Sequence, residues 1–439
     1  MRKIVIIGNG ISGVTCARHI RKQCDDEITI ISAETKHFYS RTALMYIYMG
    51  HMKYEHTKPY EDFFWEKNRL ALVQQKVLEV KPSVKRLIME RGSPIAYDLL
   101  ILACGSVTKK YNWPGQDLKG VRGLYSFQDL ESMEAETKGI RHAVITGGGL
   151  IGVEMAEMLH SRKIPVTMLI KDKYYWASVL PEPDARLVSR QIIKNGINLV
   201  YESELKEIRG DAQGRVNAVV TSASKLIDCD FVGIATGVSP NISFLKDSGL
   251  RLDKGILVNE YFETNEQDIY SIGDCAQMEK PMPGRKPIEQ VWYTGRIQGE
   301  TLAQTICGKR TAYRPGPWFN SAKFFDLEYQ TYGLASSKLE EGETYFYWEH
   351  PKRPIGFGAV YHSGTKELKG VNSYGMRLKH ILFDQWLSRK ATIDNVLENL
   401  HKASFDPEFA KNHVKEIVRA YNRQTGSSVK GKKRWSGLF

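Results

Sequence analysis

Two glycine-rich turns constrain the fold of this chain more than any other feature of its sequence. Each turn follows a short apolar run, at residues 4–7 and 143–146, and each precedes a helical stretch. In this pattern the first glycine permits a tight turn, the second lets the backbone approach a pyrophosphate, and the third lets helix and strand pack closely. The helix that follows presents free N–H groups to the phosphates. The residues of the two turns are Gly8, Gly10, Ile11, Ser12 and Gly13, and then Gly147, Gly149, Leu150, Ile151 and Gly152.

An acid that would bind the ribose of a dinucleotide follows the first turn. Glu34 stands just past an apolar run at residues 28–31, about twenty residues beyond Gly13, as such an acid should. Glycine turns also join strands to helices without any ligand, so a single turn would be weak support. Two turns in one chain, with strand, helix and acid in place, predict two dinucleotide sites. A flavin and a nicotinamide are the natural pair, because one accepts the hydride that the other delivers.

The composition excludes several other classes of protein. The 439 residues are 42% hydrophobic and 26% charged, which is typical of a globular chain with several domains. No apolar run reaches the ~18 residues of a membrane span, and no signal peptide is apparent. The six cysteines form no C-x-x-C pair and no disulfide framework, and no motif indicates a metal. These features predict a cytoplasmic protein.

The net charge is +12, and part of this excess lies at the C-terminus. A basic balance favours an acidic partner or an anionic membrane face, and we expect no nucleic acid as partner. Residues 426–428 predict a flexible tether, so the end would dock on an acidic redox partner or lie peripherally on a membrane. A disordered end that only aids solubility is equally open. The residues of this basic tail are Lys430, Lys432, Lys433 and Arg434, with Trp435, Leu438 and Phe439.

Four further segments carry a resemblance to a known family. Residues 100–106 (LILACGS), 113–121 (WPGQDLKGV), 235–241 (ATGVSPN) and 270–276 (YSIGDCA) match its motifs in order and spacing. The chain resembles the single-flavin branch of the pyridine nucleotide-disulfide oxidoreductase superfamily. That branch includes rubredoxin and ferredoxin reductases, the flavin module of nitrite reductases, and apoptosis-inducing factor. The resemblance covers about residues 1–335 well and the remainder loosely.

The resemblance implies an α/β fold with three parts. Two would be Rossmann-like, doubly wound, three-layer dinucleotide-binding domains, and the third a C-terminal α+β domain with a helical tail. We expect a discontinuous FAD domain at residues 1–117 and 241–310, an NAD(P)H domain at 118–240, and an interface-type domain at 311–439.

The resemblance also assigns residues to the flavin. Arg41 would sit beside the flavin, Asp274 would bond its ribityl chain, and Trp292 would begin the helix under the isoalloxazine. Asp274 could instead cap a helix, and Trp292 could be core. The other residues that the family motifs place at the cofactors are Ala103, Cys104, Gly105, Gly237 and Gly273.

One departure from the family concerns the reaction site. The reductases carry a lysine near the flavin, paired with a glutamate of the second glycine helix, whereas this chain has Tyr46 in the corresponding stretch. The glutamate survives as Glu154. A buried carboxylate without its cation tends to be protonated or to find another donor, which Tyr46 could be. We expect Tyr46, Glu154 and Trp292 to line the reaction site.

A second departure concerns the choice of coenzyme. Lys171 directly follows the apolar run that ends at Ile170, which is the strand after the helix of the second glycine turn. A protein that binds NAD would have an acid at this place. A basic residue there suits a 2′-phosphate, although Gly152 is the glycine usual in NAD binders. We favour NADPH slightly; the alternative is that Lys171 belongs to a solvated turn.

These observations predict an FAD-dependent NAD(P)H oxidoreductase that passes electrons to a protein carrier of the ferredoxin or rubredoxin kind, to a redox subunit, or to a quinone. The alternative is a flavoprotein with slow turnover that serves as a binding or scaffold module and responds to flavin reduction. The redox cysteine pair of the superfamily is absent, so we interpret Cys104 and Cys275 as structural. A homodimer is left open.

Overall fold

The computed structural model describes residues 1–408 and 411–431, and it contains three five-stranded sheets. The first sheet is parallel. Its strands are β1 (Lys3–Ile7), β2 (Glu27–Ser32), β3 (Leu70–Gln74), β7 (Leu99–Leu102) and β19 (Ile269–Ser271). They lie in the order β19-β7-β1-β2-β3. The central strands are almost continuously apolar because both faces of the sheet are covered.

The second sheet is also parallel. Its strands are β9 (Val121–Arg122), β10 (Ala143–Thr146), β11 (Val166–Leu169), β12 (Asn198–Val200) and β16 (Phe231–Ile234), in the order β12-β11-β10-β16-β9. The third sheet is antiparallel. Its strands are β21 (Phe319–Phe324), β22 (Leu327–Gly333), β23 (Glu343–Glu349), β24 (Gly356–His362) and β25 (Leu368–Tyr374), in the order β21-β22-β25-β24-β23.

Helices and small sheets complete the three parts. The helices are α1 (Ile11–Arg21), α2 (Leu44–Tyr48), α3 (Phe63–Lys67), α4 (Phe127–Glu136), α5 (Leu150–Ser161), α6 (Glu182–Lys194), α7 (Trp292–Ile306), α8 (His380–Ser388), α9 (Ile393–Asn399) and α10 (Val414–Thr425). The small antiparallel sheets of three strands are β4 (Val77–Lys81), β5 (Arg86–Met89) and β6 (Ile95–Ala96), and β13 (Leu205–Gly210), β14 (Val216–Thr221) and β15 (Leu226–Asp228). Two-stranded pairs join β8 (Ser106–Thr108) to β17 (Val238–Pro240), and β18 (Ile256–Val258) to β20 (Ala276–Met278).

Each parallel sheet forms the middle of three layers. Residues of α1 and α7 cover one face of the first sheet, and apolar residues of β4 and β5 cover the other. Residues of α5 and α6 cover one face of the second sheet, and β13 and β14 cover the other. The predicted α/β class, with two Rossmann-like units and a C-terminal α+β part, is confirmed. In both units the layer opposite the helices is a small antiparallel sheet.

Helices α1 and α7 pack so closely that glycine is required at their contact. A Cβ atom on Gly299 of α7 would lie 2.6 Å from the carbonyl oxygen of Ser12, and one on Gly295 would lie 2.6 Å from its Oγ. Neither distance is compatible with a real side chain. The helix that begins at the first glycine turn and the helix that begins at Trp292 therefore meet backbone to backbone.

The C-terminal sheet packs against α8, α9 and α10, which are the predicted helical tail of this domain. It also contacts the second unit, because the Tyr345 hydroxyl of β23 donates a hydrogen bond to Asp184 of α6. Asp184 is fully buried, and this burial raises its pKa to about 6.

The sequence predicted a flexible tether at residues 426–428, but the first of these residues belongs to the end of α10. Gly426 has a φ of 70° and ends α10 in the left-handed conformation. Val429 is buried, and its N–H and carbonyl both hydrogen-bond to the Asn422 side chain. From Lys432 onward the predicted basic tail lies outside the described residues. Within the described part, no helix is long and apolar enough to cross a membrane.

Candidate functional site

One cavity of about 2060 Å³ brings the two glycine turns together. It runs from the first turn to the second and is lined by Tyr46, Glu154 and Trp292 between them. Of the residues that the sequence assigned to the site, those that do not line the cavity are Gly13, Gly152 and Gly273. The two glycine turns that the sequence pattern predicted therefore both line one cleft.

The first turn has the geometry of a pyrophosphate cradle. Gly8 has a φ of +115°, and a Cβ there would lie 2.0 Å from the carbonyl oxygen of Ala103. A Cβ on Gly13 would lie 2.1 Å from the carbonyl oxygen of Gly8, so helix and turn are in backbone contact. A Cβ on Gly10, in contrast, would meet no atom of the described chain within 4 Å, so open space lies in front of this glycine. This space at the start of α1 fits the pyrophosphate of a dinucleotide.

The second turn repeats this arrangement. A Cβ on Gly147 would lie 2.2 Å from the carbonyl oxygen of Ala235, and one on Gly152 would lie 2.6 Å from that of Gly147. Gly149 has open space in front of it, as Gly10 does. The Tyr175 hydroxyl donates a hydrogen bond to the Gly149 carbonyl and so supports the turn from behind. Both turns are built to admit phosphate at the same relative position.

Glu34 lies in the cavity wall as part of a preformed network. Its Oε2 accepts a hydrogen bond of 2.6 Å from Arg41, and its Oε1 accepts bonds from Arg41 at 3.0 Å and from the Phe127 N–H at 2.7 Å. The Tyr39 hydroxyl also donates to Oε1. Burial opposes ionisation of Glu34, but Arg41 and these donors hold its pKa below the usual value. Glu34 is therefore an oriented carboxylate in the wall of the cavity, at the residue that the sequence assigned to the ribose.

A second network joins Arg41 to Asp274 through a residue that the sequence analysis did not identify. The Arg41 guanidinium lies 4.4 Å from the ring centre of Tyr125 and donates to the Tyr125 carbonyl. The Tyr125 hydroxyl donates to Asp274 Oδ2 at 3.2 Å, and the Ser106 hydroxyl donates to the same oxygen at 3.3 Å. Gln290 donates to Ser106 Oγ at 2.9 Å.

Asp274 and Trp292 do not take the structural roles that the sequence left open. Asp274 caps no α-helix; it lies in a short 3₁₀ turn, Gly273–Cys275, and burial raises its pKa while Tyr125 and Ser106 oppose this. Trp292 is half-buried at the first position of α7 and faces the cavity. Ser106 and Gln290 belong to segments that matched the family. Tyr125 had no local signal, because only the fold brings it to Asp274.

Cys104 and Cys275 meet, although their motifs are separate in the sequence. Cys275 is buried and Cys104 is half-buried, and a hydrogen bond with Cys275, followed by burial, raises the pKa of the Cys104 thiol. The Cys275 thiol also contacts the carbonyl oxygens of Leu102 and Ile272 at 3.5 and 3.4 Å. The two cysteines form one small cluster at the floor of the cavity.

Glu154 has no cation beside it among the described residues. Burial foremost, and then the neighbouring Glu157, raise its pKa from 4.5 to about 7. Of the two alternatives that the sequence left open for Glu154, the hydrogen bond from Tyr46 is not present in the described chain; the Tyr46 ring stacks on His51 at 6.2 Å instead. The pKa of the Tyr46 hydroxyl is itself raised, by burial and then by Glu157 and Glu154. The reaction site therefore contains a carboxyl group that gains or loses a proton near neutral pH.

Lys171 lies at the rim of the cavity and is paired. Its Nζ is 2.9 Å from Oε1 of Glu204, and the two side chains are 77% and 54% exposed. Glu204 follows β12, so the neighbouring strand supplies an acid near the position where the sequence pattern lacked one. In the described ranges, no group of three or more His, Cys, Asp or Glu side chains could hold a metal ion.

The fold and the cavity define a protein with two dinucleotide-binding turns that face one cleft. The chain belongs to the pyridine nucleotide-disulphide oxidoreductase family, whose model matches residues 2–299. Membership of this family supports FAD and a nicotinamide nucleotide as cofactors, and the site residues described above fit both.

Two curated relatives match most of the chain. It is 31% identical to an NADH oxidase of Methanocaldococcus jannaschii over 389 residues, which are 84% of this chain and 83% of the relative. It is 29% identical to an NADH-rubredoxin oxidoreductase of Clostridium acetobutylicum over 312 residues, 71% and 76% of the two chains. The chain spans only 38% and 39% of the length of two other curated relatives that it matches.

A solved structure has the same fold. A NAD-dependent persulfide reductase from A. fulgidus superimposes with a TM-score of 0.82 at 24% identity, covering 96% of this chain and 84% of that one. The likeness extends through the C-terminal sheet and helices, beyond the range of the family model.

Proposed function

We propose that this protein is an FAD-dependent NAD(P)H oxidoreductase. The observation that carries the proposal is the single cavity in which both phosphate cradles face the same carboxyl group and the same tryptophan. The division that we propose is an FAD domain at residues 1–117 and 241–310, an NAD(P)H domain at 118–240, and a C-terminal domain at 311–439. The two parallel sheets and their order support it.

The first cradle, Glu34, Arg41 and Asp274 would hold FAD, and the second cradle would hold the nicotinamide nucleotide. When bound, FAD supplies the hydride-accepting chemistry. The residues of the chain bind and orient: Arg41 links Glu34 to Tyr125, and Tyr125 links to Asp274, so both ends of the flavin site are set by one network. Glu154 would hold or release a proton at the reaction site, since its pKa is about 7.

Two matched substitutions test this assignment. Gly10→Glu and Gly149→Glu place the same carboxylate at the same position of the two cradles, where the protein leaves open space, so neither should disturb folding. The Gly10→Glu protein should lose its FAD, because bulk and charge meet the pyrophosphate. The Gly149→Glu protein should stay yellow but fail to bind the nicotinamide nucleotide in equilibrium titration. A folded Gly10→Glu protein with full flavin content would contradict the proposal.

The rate of flavin reduction distinguishes this enzyme from a second candidate. That candidate is a binding module with slow turnover, and it is favoured by the absence of a cation beside Glu154 in the described chain. After anaerobic mixing with NADH or NADPH, bleaching of the flavin band within about a second supports the enzyme. Bleaching over minutes supports the module, and the Gly149→Glu protein sets the background rate.

The choice of coenzyme would be decided by the pair of Lys171 and Glu204. Lys171 suits the 2′-phosphate of NADPH, but Glu204 neutralises it and offers a carboxylate to a free ribose hydroxyl. Glu204→Gln should release Lys171 and shift binding towards NADPH. Lys171→Glu should shift it towards NADH by about tenfold or more, because a charge-assisted hydrogen bond is worth about 1.5–3 kcal/mol. If the ratio of the dissociation constants for NADPH and NADH is the same in the unchanged protein and in both variants, Lys171 does not contact the coenzyme.

The acceptor would be an acidic protein carrier, a redox subunit or a quinone, and the name of the rubredoxin relative supports a carrier. The name of the other relative makes oxygen the alternative. Stopped-flow reoxidation of the reduced protein by ferredoxin, rubredoxin, a soluble quinone and oxygen would rank the four. If oxygen reoxidises the flavin and none of the other three acceptors reoxidises it faster, a protein carrier is excluded as the acceptor.

The basic tail would promote docking on the carrier or on an anionic membrane. Deletion from Lys430 onward should leave flavin content and reduction unchanged, because Val429 keeps its contacts with Asn422. Association with the carrier or with phosphatidylserine vesicles should weaken, most visibly at low salt. Unchanged association at low salt would leave the tail without a docking role. We also propose that the protein forms a homodimer, which sedimentation of the full-length and the shortened protein would test.

A further inference from the structure

A pair of thiols lies far from the cofactor cavity, where α1 and α7 end. The Sγ atoms of Cys24 and Cys307 are 3.8 Å apart, although 283 residues separate them in the chain. Both side chains are partly exposed, and neither lines the cavity. Since α1 rises about 1.5 Å per residue, its C-terminal end is about 16 Å from the first glycine turn. The pair is therefore separate from the flavin chemistry.

Hydrogen bonds from charged groups fix the surroundings of this pair of thiols. The Cys24 thiol donates to Oδ2 of Asp26 at 3.5 Å. Arg2 binds the same carboxylate at 2.6 Å and donates to the Ile306 carbonyl at 3.0 Å, so its guanidinium bridges the two helix ends. Asp26 foremost, and then Cys24 and Cys307, raise the pKa of Arg2. The Cys24 thiol is therefore accessible to a small oxidant, in surroundings that the Arg2–Asp26 pair holds in place.

Cys307 is placed to react second. Its thiol points at the Cys24 sulfur, and burial foremost raises its pKa to about 12, so it is a poor nucleophile at rest. A disulfide has sulfur atoms about 2.05 Å apart, so the two sulfur atoms need to move less than 2 Å towards each other.

We propose that Cys24 and Cys307 are a modification site at which a peroxide closes a reversible disulfide between the ends of α1 and α7. The Cys24 sulfur gives up its proton and attacks one peroxide oxygen, and the O–O bond breaks. Cys24 becomes a sulfenic acid, and the other peroxide oxygen takes up the proton that the thiol lost and leaves as water. The Cys307 sulfur then displaces the hydroxyl of that sulfenic acid, the S–S bond forms, and a second water leaves. Two thiols lose two electrons, and one hydrogen peroxide becomes two water molecules.

The test uses the full, flavin-loaded protein, reduced, freed of reductant and treated with stoichiometric hydrogen peroxide. The intact mass should fall by about 2 Da, and non-reducing peptide maps should join the peptides of Cys24 and Cys307. A reductant should reverse both changes. Because the bond closes a very long loop, the oxidised protein should also melt at a higher temperature.

Serine variants assign the two roles. Cys307→Ser should accumulate a sulfenic acid at Cys24 that dimedone labels, whereas Cys24→Ser should give neither label nor bond. Cys229→Ser, at a buried cysteine elsewhere, should behave as the unchanged protein. The proposal is wrong if oxidation of the unchanged protein joins no peptides, or joins the Cys104 and Cys275 peptides instead. It is also wrong if oxidation of the Cys24→Ser protein still lowers the intact mass by about 2 Da, or gives a dimedone label at Cys307.

Discussion

The Glu154→Gln substitution should stabilise this protein at alkaline pH and change little at acidic pH. Burial foremost, and then Glu157, raise the pKa of Glu154 from 4.5 to about 7 in the folded protein. Between these two values the folded state binds more protons than the unfolded state does. The free energy of unfolding therefore falls as the pH rises from 4.5 to about 7, and this contribution is constant above that.

The size of the effect follows from the same interval. At about 1.36 kcal/mol per pKa unit, the ionised carboxylate costs about 3 kcal/mol above pH 7. Glutamine has nearly the same shape and no charge, so the variant should not lose this free energy. It should therefore exceed the unchanged protein by about 3 kcal/mol more at alkaline pH than at acidic pH.

Urea unfolding of the flavin-loaded proteins at about pH 5 and about pH 8 measures this difference, provided that the slopes with urea agree. Glu131→Gln, at an exposed position of α4, is the control and should follow the unchanged protein at both values. If the free energy of unfolding of the Glu154→Gln protein also equals that of the unchanged protein at both pH values, then Glu154 is ionised at neutral pH beside a partner, and the argument from burial fails. In the Glu154→Gln protein, the rate of flavin reduction should also lose its dependence on pH near 7.

Three other substitutions test the fold around the site. Gly13→Ala should destabilise the first unit by about 2 kcal/mol or more in thermal unfolding, because its Cβ would lie 2.1 Å from the Gly8 carbonyl oxygen. Tyr345→Phe should cost about 1–3 kcal/mol and increase proteolysis at the C-terminal domain, because buried Asp184 loses its donor. Asp274→Ala should lower the FAD retained through gel filtration, while a normal content would remove Asp274 from the flavin site.

The parts of this fold that the sequence predicted are those with a local pattern. Gly8 and Gly147 begin turns whose spacing from the flanking strands is fixed by backbone contact, so a few residues suffice to identify them. The outer sheets were not predicted, because their strands lack the alternation of apolar and polar residues that indicates a half-buried strand. In Val77–Lys81 and Leu205–Gly210 the buried apolar residues are three apart, because the pairing of each strand is irregular there.

The site shows the same limit. Arg41, Asp274 and Glu154 belong to recognisable segments, and the structure places them around one cavity. Tyr125 could not be predicted, because 149 residues separate it from Asp274. The sequence left two outcomes open for Glu154, a protonated carboxyl group or a bond from Tyr46, for a related reason. A missing lysine shows that a partner is absent, but only packing decides whether a neighbour replaces it.

The close contact of α1 with α7 has a consequence for how this molecule can diverge. Gly295 and Gly299 leave no room for a side chain against Ser12, so close packing fixes the spacing between the two ends of the proposed flavin site, at Gly10 and at Trp292. The outward faces of the same two helices carry no such restriction. Substitutions there can alter the surface that another molecule meets while the spacing between Gly10 and Trp292 stays constant. A lineage could exchange its electron acceptor through these outer faces without rebuilding the reaction centre.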